Sequence, residues 1–590
     1  MIQELEYPFD SGRILRKRRS LRRMLQQQDM WMEKKIAILG GSTTHDIREI
    51  LELFLLNYGI RPEFFESEYG QYWQDAMFGN EKLAQLEPDI IYIHTSNRNI
   101  TSYPKLTDRS EDIEQLLEQQ YAHFETMWEK LTQQYHCPII QNNFEYPYYR
   151  LLGNQDAVSP GGKTHFVIRL NQKFAEYAQT HEQFFINDIN YQSADYGLKE
   201  WSDPFYWHMY KYALCQEAIP QLCFQIANII KSVFGKNKKA LALDLDNTLW
   251  GGVVGDDGPE RLELGQETSR GQVYTEFQSY LKELHDLGIL LTILSKNEEE
   301  NALAGLEHPQ MILKKEDFIK IRANWEPKST NLLQIAEELT LLPEAFVFAD
   351  DQPAEREIVK CQVPQVSVPP MDQPEHYIRN IDRAGYFERT YFSQDDLKRN
   401  DMYRQNVRRM TAQKEFHNYE EYLRSLHMQA EIRQFEPLYM ARIAQLTNKS
   451  NQFNLTTKRF SEAEMKSYAQ RDDYICLYGK LTDKFGDNGI VTVVMGRQEN
   501  DILHLELWLM SCRVLRRGME DAMLDELVRR AVEKGVKSIK GYYYQTAKNG
   551  MVKDFYGQCG FQKLLQAENG DSEWILETAA YKTRNHIIKV

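Results

Sequence analysis

The chain has 590 residues, of which 42% are hydrophobic and 27% are charged. This composition is ordinary for folded proteins and excludes a mainly disordered chain, and the length allows about three or four domains. With 71 basic and 86 acidic residues the formal net charge is −15, which disfavours general binding to nucleic acid or to acidic membranes.

Seven cysteines are scattered along the chain without a C-x-x-C pair or nearby histidines, at positions 137, 215, 223, 361, 476, 512 and 559. A structural zinc site is therefore not expected. An odd number of cysteines and the lack of a secretory signal predict free thiols in a reducing cytoplasm. No apolar stretch approaches the ~18 to 20 residues of a membrane span, so no membrane is expected as a partner.

The first predicted element is a basic helix, RILRKRRSLRRML, at residues 13–25. Apolar residues interrupt its arginines at Ile14, Leu15, Leu21, Met24 and Leu25. The simpler interpretation is a solvated helix whose apolar residues pack on the next domain, and the alternative is a docking site. The acidic residues Glu4, Glu6 and Asp10 disfavour a mitochondrial targeting peptide, because such peptides contain few acids. Residues 1–33 are predicted to form a basic N-terminal arm.

An α/β domain is predicted over residues 34–235. It begins with an apolar strand, a Gly-Gly-Ser turn and a helix pattern in KKIAILGGSTTHDIREILELFLL. Further strands are predicted at 89–94 and 137–143, with helical segments between them as parallel-sheet crossovers require. The pattern favours a flavodoxin-like domain.

The first turn of this domain contains Ser42, which is similar to the nucleophile of SGNH-type hydrolases. Asp203 and His208, in the segment DPFYWH, are the candidate partners of such a serine. A serine after two glycines is also a common helix cap. A docking or structural role for the domain is therefore preferred, and an SGNH-like esterase is the alternative.

The segment ALALDLDNTLWGGVVGDDG, residues 240–258, predicts a phosphoryl-transfer site. Asp244, Asp246 and Thr248 alternate at the end of a buried strand and enter a glycine-rich loop. Ligands of α/β sheets bind beyond such carboxyl ends. One carboxylate there can attack phosphorus and the other can transfer a proton. Capping of the next helix is the structural alternative.

Three further groups occur in matching order, each after a strand-like run. Ser295 ends LLTILS and Lys328 lies in WEPKS, and both can hold a phosphate oxygen. Asp350 and Asp351 end FVFADD and are oxygen ligands suited to Mg²⁺. Four such placements in one order favour function over coincidence.

This set of motifs resembles the haloacid dehalogenase superfamily, which implies a Rossmannoid domain over residues 236–370. The resemblance implies that Asp244 is a nucleophile forming an aspartyl phosphate and that Asp246 is the general acid/base. Mg²⁺ would be bound by Asp244, the Asp246 backbone and Asp350, with Asp351 as a further candidate. The implied phosphate-binding residues are Thr248, Ser295 and Lys328.

The continuation LWGGVVGDDG, together with SKN, WEPKS and FADDQPAER, is similar to the FkbH-like branch of that superfamily, subfamily IIIC. This resemblance implies the handling of a phosphorylated three-carbon glyceryl unit on its way to an acyl carrier protein. A helical connector with alternating charges is predicted at 371–430.

Residues 431–590 contain a second catalytic candidate, because the strand pattern DILHLELWLMSCRVL turns directly into the helix pattern RRGMEDAMLDELVRRAVEKG. Such a junction presents free N–H groups to an anion. Cys512 lies there, and the nearby Arg513, Arg516 and Arg517 would favour its thiolate. The alternative is a small buried residue at a strand end.

This region resembles the GNAT acyltransferase fold, an α+β domain. The segment YYYQTAKNGMVKDFYGQCGF is similar to the closing motif of that fold, with Asn549 and Tyr556 as candidate site residues. VLRRGME keeps Gly518 but has Arg516 where FkbH-like chains commonly have glycine. This departure disfavours coenzyme A and leaves room for the phosphopantetheine arm of a carrier protein.

The predicted protein is an α/β multidomain, bifunctional glyceryl transferase/phosphatase of polyketide-type biosynthesis. The Cys512 thiolate would take a three-carbon unit from 1,3-bisphosphoglycerate, the Asp244 site would remove the remaining phosphate, and the thioester would pass to an acyl carrier protein. An alternative is a Mg²⁺-dependent phosphatase fused to a coenzyme A-dependent N-acetyltransferase. The complete phosphoryl-transfer motifs disfavour the third hypothesis, a non-catalytic assembly module.

Overall fold

The computed structural model describes residues 2–27, 32–390, 397–449, 452–460, 462–546 and 549–590, with the side chains of these residues except 448, 449, 463 and 512. The chain divides into two compact units, Met1–Val233 with Glu388–Tyr391, and Phe234–Phe387 with Phe392–Val590. Among the described residues, no helix is long and apolar enough to cross a membrane.

The first unit is built on a parallel sheet with the strand order β2-β1-β3-β4-β5. Its strands are β1 Met32–Gly40, β2 Ile60–Glu66, β3 Ile90–His94, β4 Ile139–Asn142 and β5 Phe184–Asn187. This is the flavodoxin-like order, in which the chain reverses direction across the sheet between β1 and β3. The inner strands β3 and β4 are fully buried, as is usual for a parallel sheet whose two faces are covered by helices.

The helices of this unit connect successive strands or flank the sheet. They span Ser11–Leu25, His45–Asn57, Tyr72–Phe78, Glu81–Leu86, Ser110–Tyr135, Lys163–Thr180, Ile189–Tyr196, Leu198–Trp201, Pro204–Tyr210 and Ile219–Val233. The helix Ser11–Leu25 is the predicted basic helix. Asp10 caps it by accepting a hydrogen bond from the Arg13 N–H at 2.9 Å, as a short acidic side chain does at a helix start.

Glu145 is a buried carboxyl group on the loop that follows β4, and it gives the first unit a testable pH dependence. Its Oε2 accepts a hydrogen bond from the Asn97 N–H at 3.2 Å, and burial raises its pKa to about 7. Between about pH 4.5 and 7 the folded chain binds this proton more tightly than the unfolded chain does, so its contribution to stability is lost as the pH rises.

Glu145→Gln is expected to remove the loss of folding stability that ionisation of Glu145 causes, which is on the order of 3 kcal/mol by pH 8. Unfolding by urea at about pH 5 and about pH 8 measures the difference. Exposed Glu111→Gln serves as the control. An equal pH response in wild type and Glu145→Gln would contradict the assignment.

Over the residues that the structure describes, the second unit contains two sheets, and the first of them is parallel with the order β8-β7-β6-β9. Its strands are β6 Ala240–Leu243, β7 Leu290–Ser295, β8 Phe318–Ala323 and β9 Phe346–Ala349. The helices around it span Val254–Asp257, Ser269–Asp286, Glu299–Leu306, Lys328–Glu338, Pro353–Gln362 and Tyr377–Asp382. The central strand β6 is fully buried. Because β6 ends at Leu243, the next residue lies at the carboxyl edge of the sheet.

The other sheet has the order β10-β11-β12-β13-β14-β16-β15. Its strands are β10 Gln429–Gln434, β11 Tyr474–Asp483, β12 Gly486–Glu499, β13 Ile502–Met510, β14 Ser538–Tyr543, β15 Gln562–Gln566 and β16 Ser572–Glu577. The accompanying helices span Arg399–Gln413, Tyr419–Ser425, Met440–Lys449, Glu462–Ala469, Met519–Glu533 and Phe555–Gln558.

Strands β13 and β14 form the parallel pair of this otherwise antiparallel sheet. Within the described residues they pair over Ile502–His504 and Ser538–Lys540 and then separate. The two strands have therefore separated before the turn that leads from β13 to the helix Met519–Glu533. The predicted α/β multidomain fold class is confirmed, and the end of the chain forms an α+β domain on this mixed sheet.

Candidate active site

The first site lies at the carboxyl edge of the parallel sheet of the second unit. Asp244 directly follows β6, and its N–H donates to the Ala349 carbonyl at 3.0 Å. Lys328, the first residue of its helix, places Nζ 3.0 Å from Asp244 Oδ1. Ser295, the last residue of β7, faces the same carboxylate, and its hydroxyl favours the ionised form and so lowers the pKa of Asp244. Three separate elements thus position groups around one carboxylate.

Asp350 completes this cluster from the end of β9. Its Oδ2 lies 2.6 Å from Lys328 Nζ, and its Oδ1 accepts from the Gln352 N–H at 2.9 Å. The Arg356 guanidinium donates to the Asp350 carbonyl at 2.8 Å and to the Asp351 carbonyl at 2.7 Å. Arg356 therefore holds the main chain of the loop that carries both acids.

Burial and mutual repulsion shape the charges of this site. Burial raises the pKa of Asp244, although Lys328 opposes the change. Burial and then the charge of Asp244 raise the pKa of Asp350 to about 6. Burial and the charges of Asp244 and Asp350 raise the pKa of Asp351 to about 6. Burial disfavours the Lys328 ammonium, but Asp244 and Asp350 outweigh burial and raise its pKa. Three carboxyl groups thus share one ammonium, an arrangement that calls for a further cation.

The donor set fits a hard divalent cation. Asp244, Asp350 and Asp351 each present a carboxylate oxygen within 4.8 Å of the others, and oxygen ligands of this kind are those that Mg²⁺ prefers. The sequence assigned Asp351 less firmly than the other two, and the geometry brings it into the cluster.

Asp246 has a different environment from the other acids. Its Oδ1 accepts from Trp250 Nε1 at 2.9 Å and from the Val254 N–H at 3.0 Å, and its Oδ2 accepts from Asn297 Nδ2 at 3.1 Å. These donors orient the carboxylate, which is not among the three that lie within 4.8 Å of one another. The expected metal contact through the Asp246 backbone stays a prediction.

Thr248 is buried, and its hydroxyl oxygen accepts from the Asp351 N–H at 3.2 Å. This bond ties the loop after β6 to the loop after β9, and the phosphate-binding role of Thr248 stays a prediction. Asn247 bends the first loop with a φ of 54°, and its carbonyl accepts from the Tyr377 hydroxyl at 3.0 Å. The sequence did not single out Asn297, although it lies in the SKN motif, because its contact with Asp246 is not local.

The second candidate site is the turn after β13. The Ser511 N–H donates to the Val491 carbonyl at 2.7 Å, and Cys512 begins the short 3-10 helix Cys512–Val514. The side chain of Cys512 lies outside the described part of the structure. Gly518, with a φ of 86°, precedes the helix Met519–Glu533. The sequence-predicted junction of strand, turn and helix start is therefore present.

Arg516, where the sequence departs from the expected glycine, has a φ of 62°. This left-handed conformation favours glycine, because other residues adopt it at a cost. The Arg516 N–H donates to Glu520 Oε1 at 2.7 Å, and its carbonyl accepts from the Tyr419 hydroxyl at 3.0 Å. These two bonds hold the turn in shape.

A buried cluster of charges, formed by Arg409, Asp483 and Arg517, supports the same turn. Arg409 Nε and Nη2 donate to Asp483 at 2.8 and 2.7 Å, and Arg517 Nη1 lies 3.6 Å from the same carboxylate. Asn406 Oδ1 accepts from both guanidinium groups. Burial and the charge of Arg409 lower the pKa of Arg517 to about 10. Arg517 is therefore directed into this cluster.

The side chains of Asn549 and Tyr556 are buried within the fold. Asn549 Oδ1 accepts from the Thr546 N–H at 2.8 Å, and its Nδ2 donates to the carbonyls of Asn454 and Tyr544 at 3.1 and 2.9 Å. Tyr556 is 1% exposed, and burial raises its pKa far above the usual value. Their contacts account for both residues as parts of the fold, and their catalytic roles stay predictions.

Ser42 and His208 belong to neighbouring segments of the first unit. The hydroxyl of Thr43 donates to the Tyr210 carbonyl at 2.7 Å, so the helix Pro204–Tyr210 lies beside the Ser42 turn. Ser42 is buried and its Oγ has no hydrogen-bond partner among the described residues, whereas His208 is exposed. Asp203 caps its own helix through the Phe205 N–H at 2.7 Å. The SGNH-like assignment is thus not confirmed.

The second unit's first domain and the first unit can be compared with known proteins. Residues 35–231 match the family described as FkbH, N-terminal domain. No curated protein matches the chain significantly. A solved structure, the N-terminal part of the protein BF1531 from Bacteroides fragilis containing a phosphatase domain complexed with Mg, shares 30% identity and a TM-score of 0.58. The match covers 64% of this chain and 99% of that chain.

Two acetyltransferase structures are more distant neighbours. The ribosomal-protein-S18-alanine N-acetyltransferase from Escherichia coli shares 15% identity and a TM-score of 0.21, over 27% of this chain and 99% of that chain. The PaiA N-acetyltransferase from Thermoplasma acidophilum in complex with coenzyme A shares 15% identity and a TM-score of 0.19, over 25% of this chain and 98% of that chain.

The match to the Bacteroides fragilis protein extends over nearly all of that relative, and the first unit matches the FkbH N-terminal domain. The motifs around Asp244, Ser295, Lys328 and Asp350 agree with both findings. The chain belongs to the FkbH-like family, whose central domain is of the haloacid dehalogenase type.

Proposed function

We propose that the chain is a bifunctional glyceryl transferase/phosphatase that loads a three-carbon unit onto an acyl carrier protein in polyketide-type biosynthesis. The observation that carries the phosphatase half is the buried cluster of Asp244, Lys328, Asp350 and Asp351. The Mg complex of the related Bacteroides fragilis phosphatase domain supports it. On this proposal residues 236–370 remove phosphate and residues 431–590 transfer the acyl group.

Mg²⁺, bound by Asp244, Asp350 and Asp351, would neutralise charge on the transferred phosphoryl group. Asp244 attacks phosphorus, the bond to the substrate oxygen breaks, and Asp246 gives that oxygen a proton. Asp246 then takes a proton from water as the water attacks the aspartyl phosphate, which releases phosphate and restores both carboxyl groups. Lys328 and Ser295 hold the phosphoryl oxygens and orient Asp244.

The acyl-transfer half begins at Cys512. Its thiolate attacks the acyl carbon of 1,3-bisphosphoglycerate, the bond to the acyl phosphate oxygen breaks, and phosphate leaves with the electron pair. The carrier's phosphopantetheine thiol then displaces Cys512 from the thioester. The separation of β13 and β14 supports entry of an extended arm at this turn.

We place this chemistry in the cytoplasm. The six cysteines whose side chains the structure describes are all free thiols, as a reducing compartment maintains them. The phosphorylated three-carbon substrate and the carrier protein are also expected there.

The test is intact-protein mass spectrometry after incubation with 1,3-bisphosphoglycerate and Mg²⁺. Wild type and the buried-cysteine control Cys559→Ala are expected to gain a hydroxylamine-labile glyceryl adduct, and Cys512→Ala is expected to gain none. Phosphate release from simple phosphate esters should be equal in all three proteins. Adduct on Cys512→Ala, or none on wild type, would reject the transferase half. Protection of the fold by acetyl-CoA would then favour a phosphatase fused to an N-acetyltransferase.

A further inference from the structure

The helix Ser11–Leu25 has two sides with different charge environments. On the side that faces its own unit, Ile14, Leu21 and Leu25 are buried. Arg18 pairs with Asp46 at 3.0 Å and with Glu49 at 3.3 Å, and Arg22 pairs with Glu52 at 2.9 Å. These contacts attach the helix to the neighbouring helix His45–Asn57. The positive charge on this side is balanced within the fold.

The opposite side carries positive charge that the fold does not balance. Arg16, Arg19 and Arg23 are exposed there, and their spacing of three and four residues places them on one face. No hydrogen bond or ion pair joins them to another side chain within the ranges that the structure describes. Met24, which is 46% exposed, flanks this arginine face.

An arginine face of this kind is unusual in a chain with a net charge of −15. The other arginines of the same helix are paired, Arg18 and Arg22 with acids of the neighbouring helix and Arg13 with Glu4, so acidic partners were available in the fold. Unpaired guanidinium groups raise the local positive potential and steer an acidic partner toward the helix. The helix is about 22 Å long, which is sufficient for contact with one helix of a small protein domain.

We propose that the arginine face of Arg16, Arg19 and Arg23 is the docking surface for an acidic acyl carrier protein. The identity of the occupant rests on the proposed function, in which a carrier accepts the three-carbon unit. Two features favour a protein over a nucleic acid. The overall negative charge repels an extended polyanion, and Met24 offers an apolar contact beside the arginines.

The test is a charge reversal with a matched control. The variant carries Arg16→Glu, Arg19→Glu and Arg23→Glu, and the control carries Arg61→Glu, Arg109→Glu and Lys199→Glu, three exposed cations whose reversal changes the net charge by the same amount. The probe is fluorescently labelled holo-acyl carrier protein, whose binding to the full chain is measured by anisotropy at about 50 and 200 mM salt.

The triple variant is expected to bind the carrier at least about tenfold more weakly than wild type, with a flatter salt response. The control should stay within about threefold of wild type, and phosphate release should be equal in all three proteins. Far-UV circular dichroism and the urea unfolding curve of the variant should match those of wild type, which shows that its first unit is folded. Equal carrier affinity of the variant and wild type would overturn the proposal. So would arginine-dependent binding of single-stranded DNA or of anionic vesicles by a chain that does not bind the carrier.

The two proposals fail differently in this experiment. If the triple variant acylates the carrier as fast as wild type at low carrier concentration, the docking proposal is wrong and the proposed function stands. If wild type binds the carrier through the arginine face but never acylates it, the docking proposal stands and the proposed function is wrong.

Discussion

Asp244→Asn is expected to reduce phosphate release from phosphate esters by at least about a thousandfold. The amide cannot attack phosphorus, yet it has nearly the same size as the carboxylate and leaves Lys328 paired with Asp350 at 2.6 Å. The fold should therefore persist while the reaction stops. Release of inorganic phosphate, measured with saturating Mg²⁺, checks the expectation.

The same variant should still form a thioester adduct at Cys512, because that step needs no group of the first site, but the adduct should keep its phosphate ester and be phosphoglyceryl rather than glyceryl. Asp372→Asn is a suitable control, since Asp372 contacts Arg356 and not the reacting atoms, and it should retain most of the activity. Phosphate release by Asp244→Asn at more than about a tenth of the wild-type rate would show that another group is the nucleophile.

Asp483→Ala is expected to lower the free energy of unfolding by about 3 to 5 kcal/mol. The carboxylate is fully buried between Arg409 and Arg517, so its removal leaves two guanidinium groups without their shared counter-charge. The shift of the denaturation midpoint in urea measures the loss. Adduct formation at Cys512 should also slow, because the cluster supports the turn that follows Cys512.

The control for this prediction is Asp501→Ala, in which a half-exposed pair with Lys537 at 3.2 Å is removed. Surface pairs of this kind contribute at most about 1 kcal/mol. Replacing both Arg409 and Asp483 by methionine should cost less than the sum of the two single changes, because Arg517 is then the one member of the cluster left without its counter-charge. Additive losses would show that the two side chains do not depend on each other.

Much of the first site could be predicted from the sequence, because each of its main groups lies at the end of an apolar run. Asp244 follows β6, Ser295 ends β7 and Asp350 follows β9, and parallel strands bring such positions to one edge. The direction of each side chain could not be predicted in the same way. Asp246 accepts hydrogen bonds from Trp250 and Asn297, whose positions depend on the folded loop.

The second site shows the same limit more clearly. The strand, the turn and the helix around Cys512 follow from local patterns, whereas the pairing of Arg517 with Asp483 joins residues on different elements. The sequence therefore treated Arg517 as a neighbour of Cys512, and the structure places it in a buried ion cluster. Asn549 and Tyr556 were selected by motif alone, and contacts across the sheet determine their environments.

The backbone of Arg516 has a consequence for how this turn could have diverged among related proteins. Its φ of 62° is one that glycine adopts freely, and the cost for arginine is about 1 kcal/mol. The path of the main chain is therefore the same one that a glycine at this position would follow. Exchange of glycine for arginine there adds a positive charge at the turn without changing the path of the main chain. The charge that the turn presents to a ligand can therefore evolve while the backbone of the turn stays the same.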